Sequence, residues 1–222
     1  MYFVKSPILL CRLYQRNEIW SIEHSEKTIY LTFDDGPHPQ ITPWVLDILE
    51  AYGAHATFFC VGENVLKSPD IFNDILARGH AVGNHTYDHL NGWKCTNEEY
   101  FESIARCSEL VPSTLFRPPY GRIRRSQMNE LKPYYTVFFW SLLTGDFDSN
   151  IGQKKCFNNA VKHTREGSIV VFHDSRKAWP NLSEALPAYL EHFKMLGFEF
   201  KVIPYGIKAY KMAGQLYEKD KN

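Results

Sequence analysis

Asp34-Asp35, His85-x-x-x-His89 and His173 are the residues of this 222-residue chain whose types and spacing best suit chemistry. Two imidazoles four positions apart fall on one side of a helical turn. With a carboxylate from a neighbouring segment they make a His, His, Asp set that leaves a fourth position open, as in catalytic zinc sites. A cation there lowers the pKa of bound water and polarises a carbonyl. Adjacent carboxylates in extended chain point opposite ways, so one of Asp34 and Asp35 can hold metal while the other takes a proton from the water. His173 suits a general acid that protonates a leaving amine, oriented and kept charged by Asp146. Arg117 can pair with Asp34. The stiff turn after it, Pro118-Pro119-Tyr120-Gly121, is a place for backbone amides that bind an oxyanion. Taken singly, each feature has a plainer explanation: a surface histidine pair, an Asp-Asp-Gly-Pro turn, a core histidine, a surface arginine. Their weight comes from where they fall together.

Seven apolar runs, at 28–33, 56–61, 81–83, 115–116, 134–140, 168–172 and 198–203, read as strands separated by helical patterns. Thr42-Pro43 predicts an N-cap and first helical residue, with Val45, Leu46, Ile48 and Leu49 as the apolar stripe and Gly53 as the stop. Ser68-Pro69 opens a second helix with Ile71, Phe72, Ile75 and Leu76 on one face and Gly79 as its stop. Thr96 and Glu99 predict a capping box for a third. Further helices are expected at 153–164 and at 182–196, where Pro187 kinks the helix or moves its start. Alternating units of this kind imply a parallel sheet covered on both sides, either a single-domain distorted (β/α)7-type barrel or an open doubly wound sheet. Asp34 and Asp35 follow the first strand, His85 and His89 the third, Arg117 and Tyr120 the fourth, Asp146 the fifth, and His173 with Asp174 the sixth. Parallel strands bring all these ends to one face, where such folds carry their sites.

The composition is that of an ordinary globular chain, with 44% hydrophobic and 23% charged residues. Twenty-five basic residues offset 25 acidic ones, so no nucleic-acid or polybasic membrane footprint is expected. Five cysteines, at 11, 60, 95, 107 and 156, include no Cys-x-x-Cys and read as reduced thiols. The run Ile8-Leu9-Leu10 is short for a signal core, bulky Leu10 before Cys11 argues against a lipoprotein site, and no stretch reaches membrane-span length. The expectation is a cytoplasmic protein, one domain over 1–222 with its motif-bearing core at about 28–204.

Thr32-Phe33-Asp34-Asp35-Gly36-Pro37, then His85-Thr86-Tyr87-Asp88-His89, then Arg117-Pro118-Pro119-Tyr120 and finally His173 at a strand end resemble, in order, the motifs of the polysaccharide deacetylase family, the NodB-homology group of carbohydrate esterases (family 4). The resemblance implies the distorted barrel and a divalent metal, usually zinc, with cobalt, nickel or manganese as alternatives. It implies Asp35, His85 and His89 as ligands, Asp34 as base, Arg117 as its partner, His173 as acid tuned by Asp146, and the Tyr120 amide at the oxyanion. The expected reaction is removal of N-acetyl groups from an N-acetylated sugar or oligosaccharide, releasing acetate without a covalent intermediate. Two motifs depart from the family pattern: Leu143 and Phe147 replace Asp and Trp of an Asp-x-x-Asp-Trp motif, and Val171 stands where Leu is usual in the next. Both changes concern the pocket wall. The competing readings are hydrolysis of cyclic amides or O-acetyl esters on the same scaffold, and sugar binding without turnover. Trp93 and Trp179 are candidates for stacking on sugar rings, although core packing is the commoner fate of a Trp.

Overall fold

The computed structural model describes residues 4–5, 18–22 and 26–204. The Ile8-Leu9-Leu10 run with Cys11 lies outside the described residues. The strands are β1 (Glu18–Ile19), β2 (Thr28–Asp34), β3 (Ala56–Cys60), β4 (Ala81–Asn84), β5 (Leu115–Phe116), β6 (Thr136–Phe138), β7 (Leu142–Leu143), β8 (Ile169–His173) and β9 (Glu199–Phe200). They form one curled sheet in the order β1-β6-β5-β4-β3-β2-β8-β7, with β9 also pairing with β2. Every pairing between these strands is parallel. The seven expected strands are all present, as an incompletely closed (β/α)7-type barrel. No pairing among the described residues joins β1 to β7. The two unforeseen strands, β1 and β7, are two-residue edges, too short to show a period. The run at 134–140 pairs over Thr136–Phe138 alone.

Strands β2 and β3 are buried at every position. This accounts for their largely apolar character, because helices cover the outer face of the sheet and side chains of neighbouring strands fill the inner one. Those helices are α1 (Ile41–Ala51), α2 (Gly62–Lys67), α3 (Pro69–Ala77), α4 (Asn97–Ser108), α5 (Arg125–Leu131), α6 (Gln153–His163) and α7 (Trp179–Met195). Val45, Leu46 and Leu49 of α1 are fully buried beside Phe33 and Phe58 of the sheet. In α3, Phe72 and Ile75 are buried, but Leu76 faces solvent. The Thr96–Glu99 capping box of α4 forms as expected. None of the described helices is long and apolar enough to cross a membrane.

Three local expectations are corrected. Helix α1 begins at Ile41, so Thr42 lies inside its first turn and is not its N-cap. The Thr42 hydroxyl is taken instead by a tertiary partner, described below. Helix α7 starts at Trp179 and runs through Pro187 without ending there. The segment 62–67 is a separate short helix, joined to α3 at Ser68.

Candidate metal centre and active site

Strand register sets the site. Asp34, the last residue of β2, lies opposite His173, the last of β8. Asn84 ends β4 opposite both Cys60 and Phe116, so His85 and Arg117 leave the sheet side by side. One ligand atom from each of Asp35, His85 and His89 falls within 4.8 Å of the others, a set suited to a metal ion. Asp35 Oδ1 is 3.2 Å from His89 Nε2 and 3.9 Å from His85 Nε2. The two histidines do not lie on a helix, contrary to the reading of their spacing. They sit in the loop after β4, where Thr86 (φ 63°) and His89 (φ 56°) adopt left-handed backbone. Asn84 Oδ1 accepts from the Thr86 amide at 2.9 Å, and Thr86 Oγ1 accepts from the Leu90 amide at 2.9 Å. The other non-glycine positive-φ residues among those described are Asp35 (φ 82°) and Tyr120 (φ 60°). Such backbone costs about 1–3 kcal/mol per residue and gathers where function over-determines it. All four positions lie around this one cluster.

His85 is buried, and its Nδ1 lies 2.7 Å from the Arg117 carbonyl. A carbonyl only accepts, so Nδ1 carries the proton and Nε2 presents its lone pair to the cluster. Burial pushes the imidazole down to about 4, so it is neutral at ordinary pH. Burial works to raise Asp35, but the His89 hydrogen bond and the nearby His173, His89 and His85 hold its carboxyl well below the usual carboxylate range.

Asp34 belongs to a second, drier arrangement. Arg117 is fully buried and donates to Asp34 Oδ1 at 2.6 Å, to Thr32 Oγ1 at 2.7 Å and to the Phe139 carbonyl at 3.1 Å. Its guanidinium also covers the Phe59 ring at 4.1 Å. One residue thereby fixes Asp34 through its side chain and His85 through its backbone.

Across the mouth, Asp146 grips His173 twice. Asp146 Oδ2 accepts the His173 backbone amide at 2.6 Å, and Oδ1 is 2.8 Å from ring Nδ1. Asn181 Nδ2 holds the Asp146 carbonyl at 2.9 Å. Burial alone would lower His173, but Asp146, with Asp35 and Asp34 behind it, raises it to about 10. The stability from this raised pKa is complete below about pH 6.5, the ordinary imidazole value, and is lost as pH rises through about 10. Phe147 stands edge-on to the His173 ring at 5.1 Å. Tyr120, in the 3-10 turn Pro119–Gly121, lays its ring 4.6 Å from that of His89. All eight residues singled out by sequence thus converge.

Two contributors had no role in the sequence reading, which noted Asp174 only as a strand-end residue and Asn64 not at all. Asp174 is buried, donates its backbone amide to the Asp34 carbonyl, accepts from the Gly36 amide at 3.0 Å and takes the Thr42 hydroxyl at 2.5 Å. Burial pushes its carboxyl up to about 7. A Cβ on Gly36 would lie 2.0 Å from Asp174 Oδ2, which accounts for glycine in that turn. Asn64 Nδ2 holds the Asp35 carbonyl at 2.8 Å. The sequence sign was Thr42, a good capping residue standing beside the acidic turn.

Comparison with known proteins agrees with this geometry. A family model described as "Polysaccharide deacetylase" matches residues 21–135. A peptidoglycan-N-acetylglucosamine deacetylase of Bacillus cereus is 34% identical over 191 residues, covering 83% of this chain and 90% of the relative. A chitooligosaccharide deacetylase of Azorhizobium caulinodans is 35% identical over 161 residues, 69% of this chain and 76% of the relative. The crystal structure of a peptidoglycan N-acetylglucosamine deacetylase in complex with an N-hydroxybenzamide superposes with a TM-score of 0.82 at 29% identity, covering 90% of this chain and 95% of the other. By the span of the family match and the identity to these relatives, the chain belongs to the polysaccharide deacetylase family.

Proposed function

We propose that the protein hydrolyses the acetamide of N-acetylglucosamine residues in a peptidoglycan or chitin-type glycan, releasing acetate and leaving a free amine. The observation that carries the reading is the pair of adjacent carboxylates with different partners: Asp34 on a buried Arg117, Asp35 on two imidazoles. The names of the relatives favour N-acetylated glycans over cyclic amides, O-acetyl esters or binding without turnover.

We assign Asp35, His85 and His89 as the protein ligands of one divalent cation. One carboxylate and two imidazoles, one of them already in the ligating tautomer, suit zinc. When bound, the cation supplies Lewis acidity to the acetamide and acidifies water. Asp34 takes the proton of the attacking water, its carboxylate anchored by Arg117. The Tyr120 amide donates to the oxygen that gains charge as the carbonyl becomes tetrahedral. His173 gives its proton to the departing nitrogen as the C–N bond breaks.

The direct test is acetate release from N-acetylglucosamine oligomers and from peptidoglycan. Chelator is expected to abolish release, and added zinc to restore it in step with about one ion bound per chain. Full activity in metal-free protein would remove the assigned ligand set, and no acetate from any of these glycans would remove the substrate. The acid has its own test. Asp146→Asn deletes the charge that raises His173, so its imidazole titration is expected to fall from about 10 towards 6.5 in metal-free protein. The basic limb of kcat/KM is expected to move acidward with it, starting below 10 in loaded enzyme because the cation opposes the proton. An unmoved limb would take the acid role from His173.

A further inference from the structure

Two aromatic side chains on the segments that build the site are turned outward: Tyr120 is 60% exposed and Trp93 57%. Trp93 is four positions beyond His89 in the same loop, and both of its N–H groups are satisfied from within. Its indole N–H donates to the Ile123 carbonyl at 3.1 Å and its backbone amide to Asn91 Oδ1 at 3.0 Å. The next amide, of Lys94, returns to the Asn91 carbonyl at 2.8 Å. Buried Gln127 clamps the loop, donating to the Gly92 carbonyl at 3.0 Å and accepting the Arg124 amide at 2.8 Å. The approach there is close: a Cβ on Gly92 would meet the Arg122 carbonyl at 2.7 Å. Arg122 sets its guanidinium 5.1 Å from the Trp93 ring centre. The segment 119–123 therefore carries Tyr120 against His89 at one end and fixes Trp93 at the other.

An indole whose N–H is already paired gains no hydrogen bond from facing water. Holding its ring outward leaves apolar area wet, while its indole N–H, its backbone amide and the loop beneath it are all fixed in place. The rigid mounting removes most of the ordering cost that a stacking partner would otherwise meet. The partner that fits is the C–H face of a pyranose, with the Arg122 guanidinium, which lies over the indole, to donate to its hydroxyls.

We propose that Trp93 is a stacking platform for a second sugar ring of the substrate, adjacent to the residue deacetylated at the cluster, so that the enzyme selects chains over the monomer. The proposal rests on the glycan reading above. Tyr120 makes it continuous with the site, because it belongs to the segment that pins Trp93 and its ring packs against His89.

The test compares metal-loaded wild type, Trp93→Ala and Trp93→Phe on N-acetylglucosamine and its oligomers from monomer to hexamer. It reads kcat and KM for acetate release, and separately the affinity for the hexamer by calorimetry. Trp93→Ala is expected to raise KM by about tenfold for the dimer and all longer oligomers, the size of one lost stacking contact, to leave the monomer unchanged, and so to remove the step in kcat/KM between monomer and dimer. Trp93→Phe should restore most of the length dependence, which a merely misfolded loop would not. An unchanged length profile in Trp93→Ala, or an equal loss at every length, overturns the platform. The first of these is also the result expected if the patch docks a protein. If wild type binds the hexamer and Trp93→Ala does not, yet neither releases acetate, the platform stands and the reaction is wrong. If wild type neither binds nor deacetylates any oligomer, both fall.

Discussion

Asp34→Asn is expected to keep the metal and lose turnover, with kcat down by about 10²–10⁴-fold and KM little changed. The amide is nearly isosteric with the carboxylate, and its oxygen can still accept from Arg117, which now donates at 2.6 Å. What disappears is the basic lone pair that takes the proton. The neighbouring substitution Asp35→Asn is expected to do the reverse, weakening metal binding first, because Asp35 is the carboxylate set 3.2 Å from His89 Nε2. Metal stoichiometry by elemental analysis, measured beside kcat for both variants, separates the two carboxylates. Near-normal turnover in metal-loaded Asp34→Asn would end its assignment as base.

The strand ends were legible because burial on both faces leaves a simple record: an apolar run, then the first polar residue where the strand leaves the sheet. Asp34, His85, Arg117 and His173 all stand at such ends, and the parallel register of β2 with β8 turns chain order into proximity. Chain direction between the strands was harder to read. His85-x-x-x-His89 has helical spacing, yet the backbone runs left-handed at Thr86 and His89, held by side-chain hydrogen bonds from Asn84 and Thr86. Periodicity carries no information about such a loop. Thr42 misled for a related reason. Its hydroxyl suits an N-cap locally, but its partner is Asp174, 132 positions away, and a tertiary contact outweighs a local preference. The edge strands β1 and β7 are two residues long and leave no pattern to detect.

Arg117→Leu is expected to destabilise the protein by about 3–5 kcal/mol and to abolish activity, because it strands the Asp34 carboxylate in a buried place without its counter-charge. Side-chain exposure is 0% for Arg117 and 5% for Asp34, so water cannot replace the lost partner. Thr32 Oγ1 and the Phe139 carbonyl lose a donor at the same time. The metal cluster should survive, since His85 is oriented by the Arg117 backbone carbonyl, which leucine also supplies. The double variant Arg117→Leu/Asp34→Leu distinguishes the explanations. If the stranded charge is the cause, removing it as well recovers most of the lost stability while the protein stays inactive, since a buried ion pair replaced by apolar groups is often close to neutral. Urea denaturation of wild type, both single variants and the double variant, all metal-free, gives the coupling energy directly. A single variant as stable as wild type would show that Asp34 does not need its partner. A double variant no better than Arg117→Leu would place the cost in lost packing against Phe59 instead. Recovery of stability without activity would mean that this pair is kept for what it does to Asp34 and not for the fold.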